Sequence, residues 1–379
     1  MAIQPLEFKV LIVGGGVAAI EGALALRELG GERVAITMLA PDTEFVYRPM
    51  SVREPFGYAT AKRYPLERVA ADVDAELRAD SFKWLDPAEH LVHTEGGERY
   101  PYDALLLALG ARLYERYPRA LTIDDKRLDQ QLHGLIQDIE GGYVHSVAFV
   151  IPPGHAWPLP VYELALMTAV RAYDTSAKLK ITIATPEDSP LAIFGLEASD
   201  GVRRLLERHR ITTITSAHCE VPERGQVAIN PGARHIEADR VIALPELHGP
   251  SVPGVPTDEG GFIPVDVHCI VRHLDRVYAA GDATDFAIKQ GGIAAQQADV
   301  AAQAIAASAG LAPEPSPFHA VINGILLTGG KPLYLSAHVT GGHGSSSTIT
   351  DEPTSPPPSK IAARLLAPYL DALDREADG

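Results

Sequence analysis

The chain has 379 residues, 46% of them hydrophobic, with 33 Lys and Arg against 49 Asp and Glu, for a net charge of −16. That acidity excludes nucleic acid as a partner, because neutralising phosphates needs clustered cations, and it disfavours an anionic membrane surface. The only cysteines, Cys219 and Cys269, form no C-x-x-C and suggest neither a disulfide scaffold nor a dithiol centre, and no apolar run reaches the ~18 residues of a membrane span.

The first element is an apolar strand, Val10 to Val13, running into Gly14-Gly15-Gly16-Val17-Ala18-Ala19 and an Ala/Leu-rich helix. The spacing is G-x-G-x-x-A. Gly14 permits the tight turn, Gly16 lets the backbone approach a pyrophosphate, and Ala19 allows close helix–strand packing, with the helix N-terminus facing the phosphates. A second strand, Val34 to Leu39, completes a βαβ unit. The acidic residue expected at its end to hold a ribose hydroxyl is replaced by Ala40; Asp42 and Glu44 are either substitutes or plain loop charges. Short strands follow over 76–85 and 89–94, and Tyr102 to Ala111 is a buried strand closing on Gly110.

A new unit starts near residue 114. Helices over 126–139, 159–173 and 197–209 alternate with strands over 147–151, 179–185 and 211–215, which makes a second α/β layer. Residues 235–244 return to the first unit. A Pro/Gly-rich stretch, 249–264, precedes the strand Val277-Tyr278-Ala279-Ala280-Gly281-Asp282. Lys289-Gln290-Gly291-Gly292 then opens an Ala/Gln-rich helix ending near residue 308. Residues 321–327 and 332–335 flank Thr328-Gly329-Gly330-Lys331 as a hairpin. The Gly/Ser/Thr/Pro-rich tract 340–359 is expected to be mobile. A last amphipathic helix carries Ile361, Leu365, Leu366, Tyr369, Leu370 and Leu373 on one face, to pack on the chain's own body or to touch a membrane. The fold class is therefore α/β: two Rossmann-like dinucleotide-binding domains plus a small C-terminal region. Residues 1–113 and 235–310 form the first domain, 114–234 the second, and 311–379 the C-terminal region.

A strand ending in Ala-Gly-Asp sets a carboxylate where a flavin's ribityl and phosphate hydroxyls can bond to it. Together with the opening turn, it resembles the FAD-binding signature of the two-domain flavoprotein reductases. Over residues ~8–335 the pattern is similar to the sulfide:quinone oxidoreductases, the flavoprotein subunit of flavocytochrome c sulfide dehydrogenase, and the single-subunit NADH:quinone reductases. The resemblance implies FAD extended in the first domain with its ring at the domain interface. It also implies a small-molecule electron donor and an acceptor such as a quinone. The cofactor-binding residues it implies are Gly14, Gly16, Ala19, Arg48, Pro49, Gly110, Gly281, Asp282, Lys289, Gln290 and Gly291. No metal site is expected. A helix opening at Gly291 or Gly292 presents free N–H groups and about half a positive charge. With Lys289 beside it, that end either raises the potential of a flavin whose N1–C2=O edge it meets or is an ordinary Gly-rich helix start with a surface lysine. Arg48 either lines the flavin edge or makes a surface salt bridge. Glu163 matches a glutamate of the resembled family near the flavin, and is either a proton relay or a helix glutamate paired with a neighbour. Glu163 and Lys289 are the catalytic candidates.

The second domain departs from the resembled pattern. Anchored on Val161-Tyr162-Glu163-Leu164-Ala165, its glycine positions hold Ala156, Trp157 and Pro158, preceded by Pro152-Pro153-Gly154-His155. Prolines donate no N–H to a pyrophosphate, and Trp157 fills ligand space. The cysteines of sulfide-oxidising relatives would fall at Trp157 and near Ile325–Leu327, and a covalent-flavin cysteine near Arg48-Pro49; none is present. The flavin is thus expected to be non-covalent, without cysteine-based sulfide chemistry. His155, Trp157 and Tyr162 are expected near the ring-facing pocket, as an aromatic wall for a flat acceptor or as a plug. The leading reading is an FAD-dependent oxidoreductase. The alternatives are an NAD(P)H dehydrogenase with an altered nucleotide pose and a non-catalytic flavin-binding protein. A cytoplasmic location is expected, with peripheral contact at the inner membrane face left open. The sequence is silent on oligomeric state.

Overall fold

The structure is a computed structural model that describes residues 7–58, 60–124, 128–340, 343–353 and 359–378. Its first sheet is built from β1 (Phe8–Val13), β2 (Val34–Leu39), β3 (Ala75–Arg78) and β4 (Ala104–Leu107), joined by a late strand, Val277–Ala279. All are parallel, in the order β3-β2-β1-β4 and then the late strand. This is a doubly wound order, whose switch point falls beside β1, at the carboxyl end where β1 and β4 part. From Val10 to Val13, β1 is apolar and buried because both its faces are covered there. Val10 and Ile12 pack toward the helix α1 (Val17–Gly30), and Leu11 and Val13 pack toward Leu85 and Val92 on the other side.

The stretch read as one strand over 76–85 divides. Ala75–Arg78 joins the large sheet, while Phe82–Asp86 starts a three-stranded antiparallel sheet. Asp80 makes the break, since its Oδ1 accepts the N–H groups of Ser81 and Gly96 and so forms a turn.

The second unit holds α2 (Leu128–Glu140), β5 (Ser146–Val150), α3 (Leu159–Asp174), β6 (Lys180–Ala184), α4 (Gly195–Arg208), β7 (Thr212–Ile214) and β8 (Arg240–Ala243). Its sheet order is β7-β6-β5-β8 with the short strand Leu121–Thr122 at the edge, all parallel. This corrects one expectation. Residues 240–243 do not return to the first unit: β8 pairs with β5, and Val241, Ile242 and Ala243 are buried there. Their continuous apolar run suits a strand with neighbours on both sides better than a connector. The late strand β9 (Val277–Ala279) closes the first sheet and leads into α5 (Gly291–Ser308). α5 lies along α1 through small residues, with Ala18, Ala19 and Ala23 meeting Ala294, Ala298 and Ala301.

The C-terminal region is a three-stranded antiparallel sheet of β10 (Val321–Leu326), β11 (Leu333–Thr340) and β12 (His343–Thr350). The hairpin forms where expected. The tract 340–359 does not behave as one mobile loop, because 343–350 pairs with β11. Thr348, Ile349 and Thr350 favour extended backbone, and Ile349 packs against the second unit's core. Residues 354–358 of the tract lie outside the described residues. The final helix, α6 (Leu366–Asp378), packs on the chain's own body: Leu366 and Leu370 are buried with Ile20, Phe45 and Tyr64. No helix among the described residues is long and apolar enough to cross a membrane.

Candidate functional site

A cleft of about 890 Å³ opens at the carboxyl ends of β1 and β4, where the two units and the C-terminal region meet. Its floor is the β1–α1 turn. Gly14 has φ +129°, and a Cβ there would sit 2.2 Å from the Ala108 carbonyl oxygen, so only glycine fits. Gly16 is the opposite case: a Cβ would meet nothing within 4 Å, which leaves open space over the first N–H groups of α1. Ala19 is fully buried in the α1–α5 packing and does not line the cleft.

Gly281, Asp282, Lys289, Gln290 and Gly291 line the far wall, and Arg48, Pro49 and Gly110 line the near one. Gln297 of α5 holds the Gly281-Asp282 turn: its Oε1 accepts Gly281 N–H at 2.8 Å, and its amide meets Thr284 Oγ1 at 3.2 Å. Gln290 caps α5 by accepting Ile293 N–H at 3.0 Å and donates to the Asn323 carbonyl at 3.1 Å, tying the cleft to the C-terminal sheet. Lys289 is not a surface lysine. It is 3% exposed, donates to the Thr284 carbonyl, and its Nζ lies 3.8 Å from the centre of the Phe262 ring. Burial pulls its pKa down to about 8, against Asp282, Asp285 and Asp258, which favour the charged form. Burial also raises the Asp282 carboxyl, while Lys289 and Arg48 pull it back. Ala40 is buried at the end of β2, and Asp42 and Glu44 both line the cleft, with Glu44 also facing Arg63 at 3.4 Å.

Glu163 enters from α3, 1% exposed. Its neighbour is Lys360, whose Nζ donates to both carboxylate oxygens at 2.6 and 2.8 Å and to the Pro49 carbonyl at 3.0 Å. Leu327 N–H donates to Glu163 Oε1 at 2.9 Å. Burial raises the Glu163 carboxyl above its ordinary range, and Lys360 and the Leu327 amide only partly offset this. Sequence reasoning missed Lys360. It follows a Ser/Thr/Pro tract and has no periodic neighbour, and the only signal was a lysine just before the apolar face that starts at Ile361.

The aromatic cluster is corrected. Trp157 lines the cleft and packs edge-on against Phe194, but His155 and Tyr162 do not line it. His155 turns to the Ala287 carbonyl (3.2 Å) and the Phe262 ring, and Tyr162 is fully buried, donating to Glu187 at 2.7 Å.

A profile of the family described as pyridine nucleotide-disulphide oxidoreductase matches residues 8–141 and 163–303. The chain belongs to that family. Its cofactor is FAD. A curated relative, the sulfide-quinone reductase of Aquifex aeolicus, is 23% identical over 261 residues, which span 64% of this chain and 59% of the relative. The solved sulfide:quinone oxidoreductase of the same bacterium superposes with a TM-score of 0.80 at 20% identity, covering 91% of this chain and 87% of that one. A ferredoxin reductase from Rhodopseudomonas palustris gives 0.65 at 18% identity, over 88% of this chain and 83% of that chain. At these identities the superpositions show the shared fold.

The residues present fit FAD. The open space at Gly16, the α1 N–H groups, and the aimed Asp282 carboxyl match a pyrophosphate and its hydroxylated chain. A pyridine nucleotide fits the second unit poorly. The loop after β5 carries Pro152, Pro153 and Pro158, and α3 has Pro160 in its first turn, so the usual amide donors are missing. Past β6, where a ribose-binding carboxylate would stand, Glu187 turns onto Tyr162 (2.7 Å) and Thr185 (2.9 Å). Burial pushes Glu187 up to about 7, so this carboxyl is committed to the interior.

Proposed function

We propose that this flavoprotein passes two electrons from a small-molecule donor, through non-covalent FAD, to a quinone-like acceptor without using a cysteine. The observation that carries the reading is the cleft wall itself: Trp157, Leu159, Pro160 and Ile325 are apolar, and beside them stands the Glu163–Lys360 pair. An apolar slot with one acid–base group suits a flat acceptor that must gain two electrons and two protons. FAD, when bound, supplies the two-electron carrier. The chain's residues do the rest. Glu163 holds or delivers a proton at the acceptor's oxygen, Lys360 sets the charge on Glu163, and Lys289 with the start of α5 favours negative charge on the cofactor edge.

Two facts support the absence of thiol chemistry. Trp157 and Ile325, at or near the positions where the resemblance implies cysteines, line the cleft. Cys219 and Cys269 lie in separate hydrophobic clusters, neither lines the cleft, and burial pushes their thiols up to about 11 and about 12. For the surroundings we favour the cytoplasm. The outward part of α6 carries Asp371, Asp374 and Glu376 against Arg375, which disfavours seating on an anionic bilayer.

The test is an anaerobic titration of the yellow protein with NADH, NADPH and sulfide in parallel, followed by dithionite reduction and addition of a soluble benzoquinone. The expected result is an oxidised spectrum retained with the nucleotides and sulfide, and rapid reoxidation by the quinone. Bleaching on mixing with NADH or NADPH makes the chain a nicotinamide dehydrogenase instead. No reoxidation by the quinone makes it a flavin-binding protein without this activity.

A further inference from the structure

Glu21 lies in the second turn of α1 and is fully buried, in a helix whose other buried residues are Ala, Gly, Ile and Leu. A carboxyl in such a place is costly unless its oxygens are satisfied. Both are: Oε1 accepts Leu365 N–H at 2.9 Å and Oε2 accepts Leu366 N–H at 2.5 Å. These are donors at the start of α6, which have no partner within the helix. The residues just before are clasped as well. Arg364 binds Asp299 of α5 at 2.8 Å and Glu28 of α1 at 2.6 Å. Tyr47 Oη meets Ser359 Oγ at 3.0 Å and accepts Ile361 N–H at 3.1 Å. Lys360 lies between the two residues that Tyr47 holds, a few positions before the segment pinned by Arg364 and Glu21, in a stretch with no helix or strand of its own, and it is the residue that reaches into the cleft.

We propose that Glu21 is a positioning residue for the cleft: it fixes the start of α6 and thereby holds Lys360 against Glu163. The proposal rests on the acid–base reading of Glu163 given above. The charged group facing Glu21 is Asp299 of α5, which Arg364 of the strap binds together with Glu28 of α1. Burial, reinforced by Asp299, pushes the Glu21 carboxyl up to about 7 although both amides favour its charged form. When the strap lifts, water returns to Glu21 and its pKa falls to the ordinary range. The docked strap therefore holds a proton that the lifted one lacks, and docking weakens as pH climbs toward and past 7.

The experiment uses the FAD-loaded chain as wild type, Glu21→Ala, Glu21→Gln, Lys360→Met and the double variant Glu21→Ala/Lys360→Met. Two quantities are read: hydrogen exchange over 359–366, relative to α5, and the pH midpoint of the visible flavin band as the neighbouring carboxyl titrates. Glu21→Ala leaves two buried amides without acceptors, and exchange over 359–366 is expected to rise tenfold or more. Its flavin midpoint should move upward, as in Lys360→Met, and the double variant should move no further than Lys360→Met alone. Glu21→Gln keeps an acceptor and has no proton to lose. It satisfies only one of the two amides, so its protection at pH 6 should lie between those of wild type and Glu21→Ala, and it should keep that level at pH 8.5, where wild type loosens beyond the intrinsic rise in exchange. The proposal is overturned if Glu21→Ala leaves exchange unchanged, if it frees the strap without moving a midpoint that Lys360→Met does move, or if Glu21→Gln loosens with pH as wild type does. If Lys360→Met itself leaves the midpoint in place, the reading of Glu163 has failed; exchange at Lys360 and Ile361 then decides on the latch alone. Should Glu21→Ala not fold, the pH series of wild type against Glu21→Gln carries the decision.

Discussion

Lys360→Met removes a charge while keeping most of the side chain's volume, and its consequence can be worked from the cleft. Glu163 and Lys360 are 1% and 6% exposed at their side chains, so water screens neither. Removing one partner of a buried pair costs about 3–5 kcal/mol, because the other charge is left uncompensated. Glu163 then keeps only the Leu327 N–H. It can escape by taking a proton, and at 1.36 kcal/mol per unit that cost corresponds to an upward move of about 2–4 pH units. The sign follows from the native state. Burial already holds Glu163 above its ordinary range, with Lys360 pulling down; losing Lys360 raises it further. A carboxyl raised in the folded state withdraws stability as pH climbs from its unfolded value through the folded one. Lys360→Met should therefore lose little in urea unfolding at pH 5.5 and most of the 3–5 kcal/mol at pH 8.5. Glu163→Gln/Lys360→Met, which leaves no lone charge, should recover the larger part. Equal losses at the two pH values, or a double variant no better than the single, would refute the reasoning.

Gly14→Ala and Gly16→Val separate folding from cofactor binding at positions two residues apart. A Cβ at Gly14 collides with the Ala108 carbonyl, so that variant should be poorly folded by circular dichroism; one at Gly16 meets open space, so Gly16→Val should melt near wild type yet purify colourless. Lys289→Met should lower the flavin midpoint potential by roughly 30–60 mV in a spectroelectrochemical titration at pH 7, as expected for one lost charged contact of about 1.5–3 kcal/mol. The same titration in wild type should bend near pH 8, where Lys289 loses its proton and its help to the reduced flavin. Cys219→Ser and Cys269→Ala should leave quinone reoxidation unchanged, and neither thiol should react with a disulfide reagent in the folded chain at pH 8, since burial holds both far above that pH.

What was legible in the sequence is what depends on short stretches of backbone. The turn at Gly14–Ala19, the alternation of strands and helices, and the Gly-rich start of α5 are each specified by residues a few positions apart, and each formed where read. The misreadings share a different cause. β8 looked like a connector because nothing local says which of two parallel sheets an apolar tetrad will enter; that is decided by the gap beside β5. The strand 343–350 looked mobile because Ser and Thr are as common in loops as at a sheet edge, and only the partner β11 chooses between them. Tyr162 looked cleft-facing because one helical turn cannot tell which side Glu187 waits on.

The same limit explains why the decisive pair at the site escaped notice. Glu163 was readable from its place on α3, but its partner lies 197 positions later and shares no motif with it. Its geometry comes from three contacts that are each long-range in sequence: Tyr47 with Ile361, Glu21 with Leu366, and Arg364 with Asp299. A charge that must sit within 3 Å of a buried carboxylate is thus held by a segment outside both dinucleotide domains. The consequence is that the chemistry at Glu163 can be altered without touching the cleft. A substitution on the far side of α1, at Glu28 or Glu21, loosens the strap and changes the charge state of a group on α3. The flavin turn and the Gly281-Asp282 strand do not have that property, because the contacts that shape them, Gly14 against Ala108 and Gly281 against Gln297, lie within the first domain. Cofactor retention and acid–base behaviour should accordingly come apart under mutation of the strap, with the protein staying yellow while its pH dependence shifts.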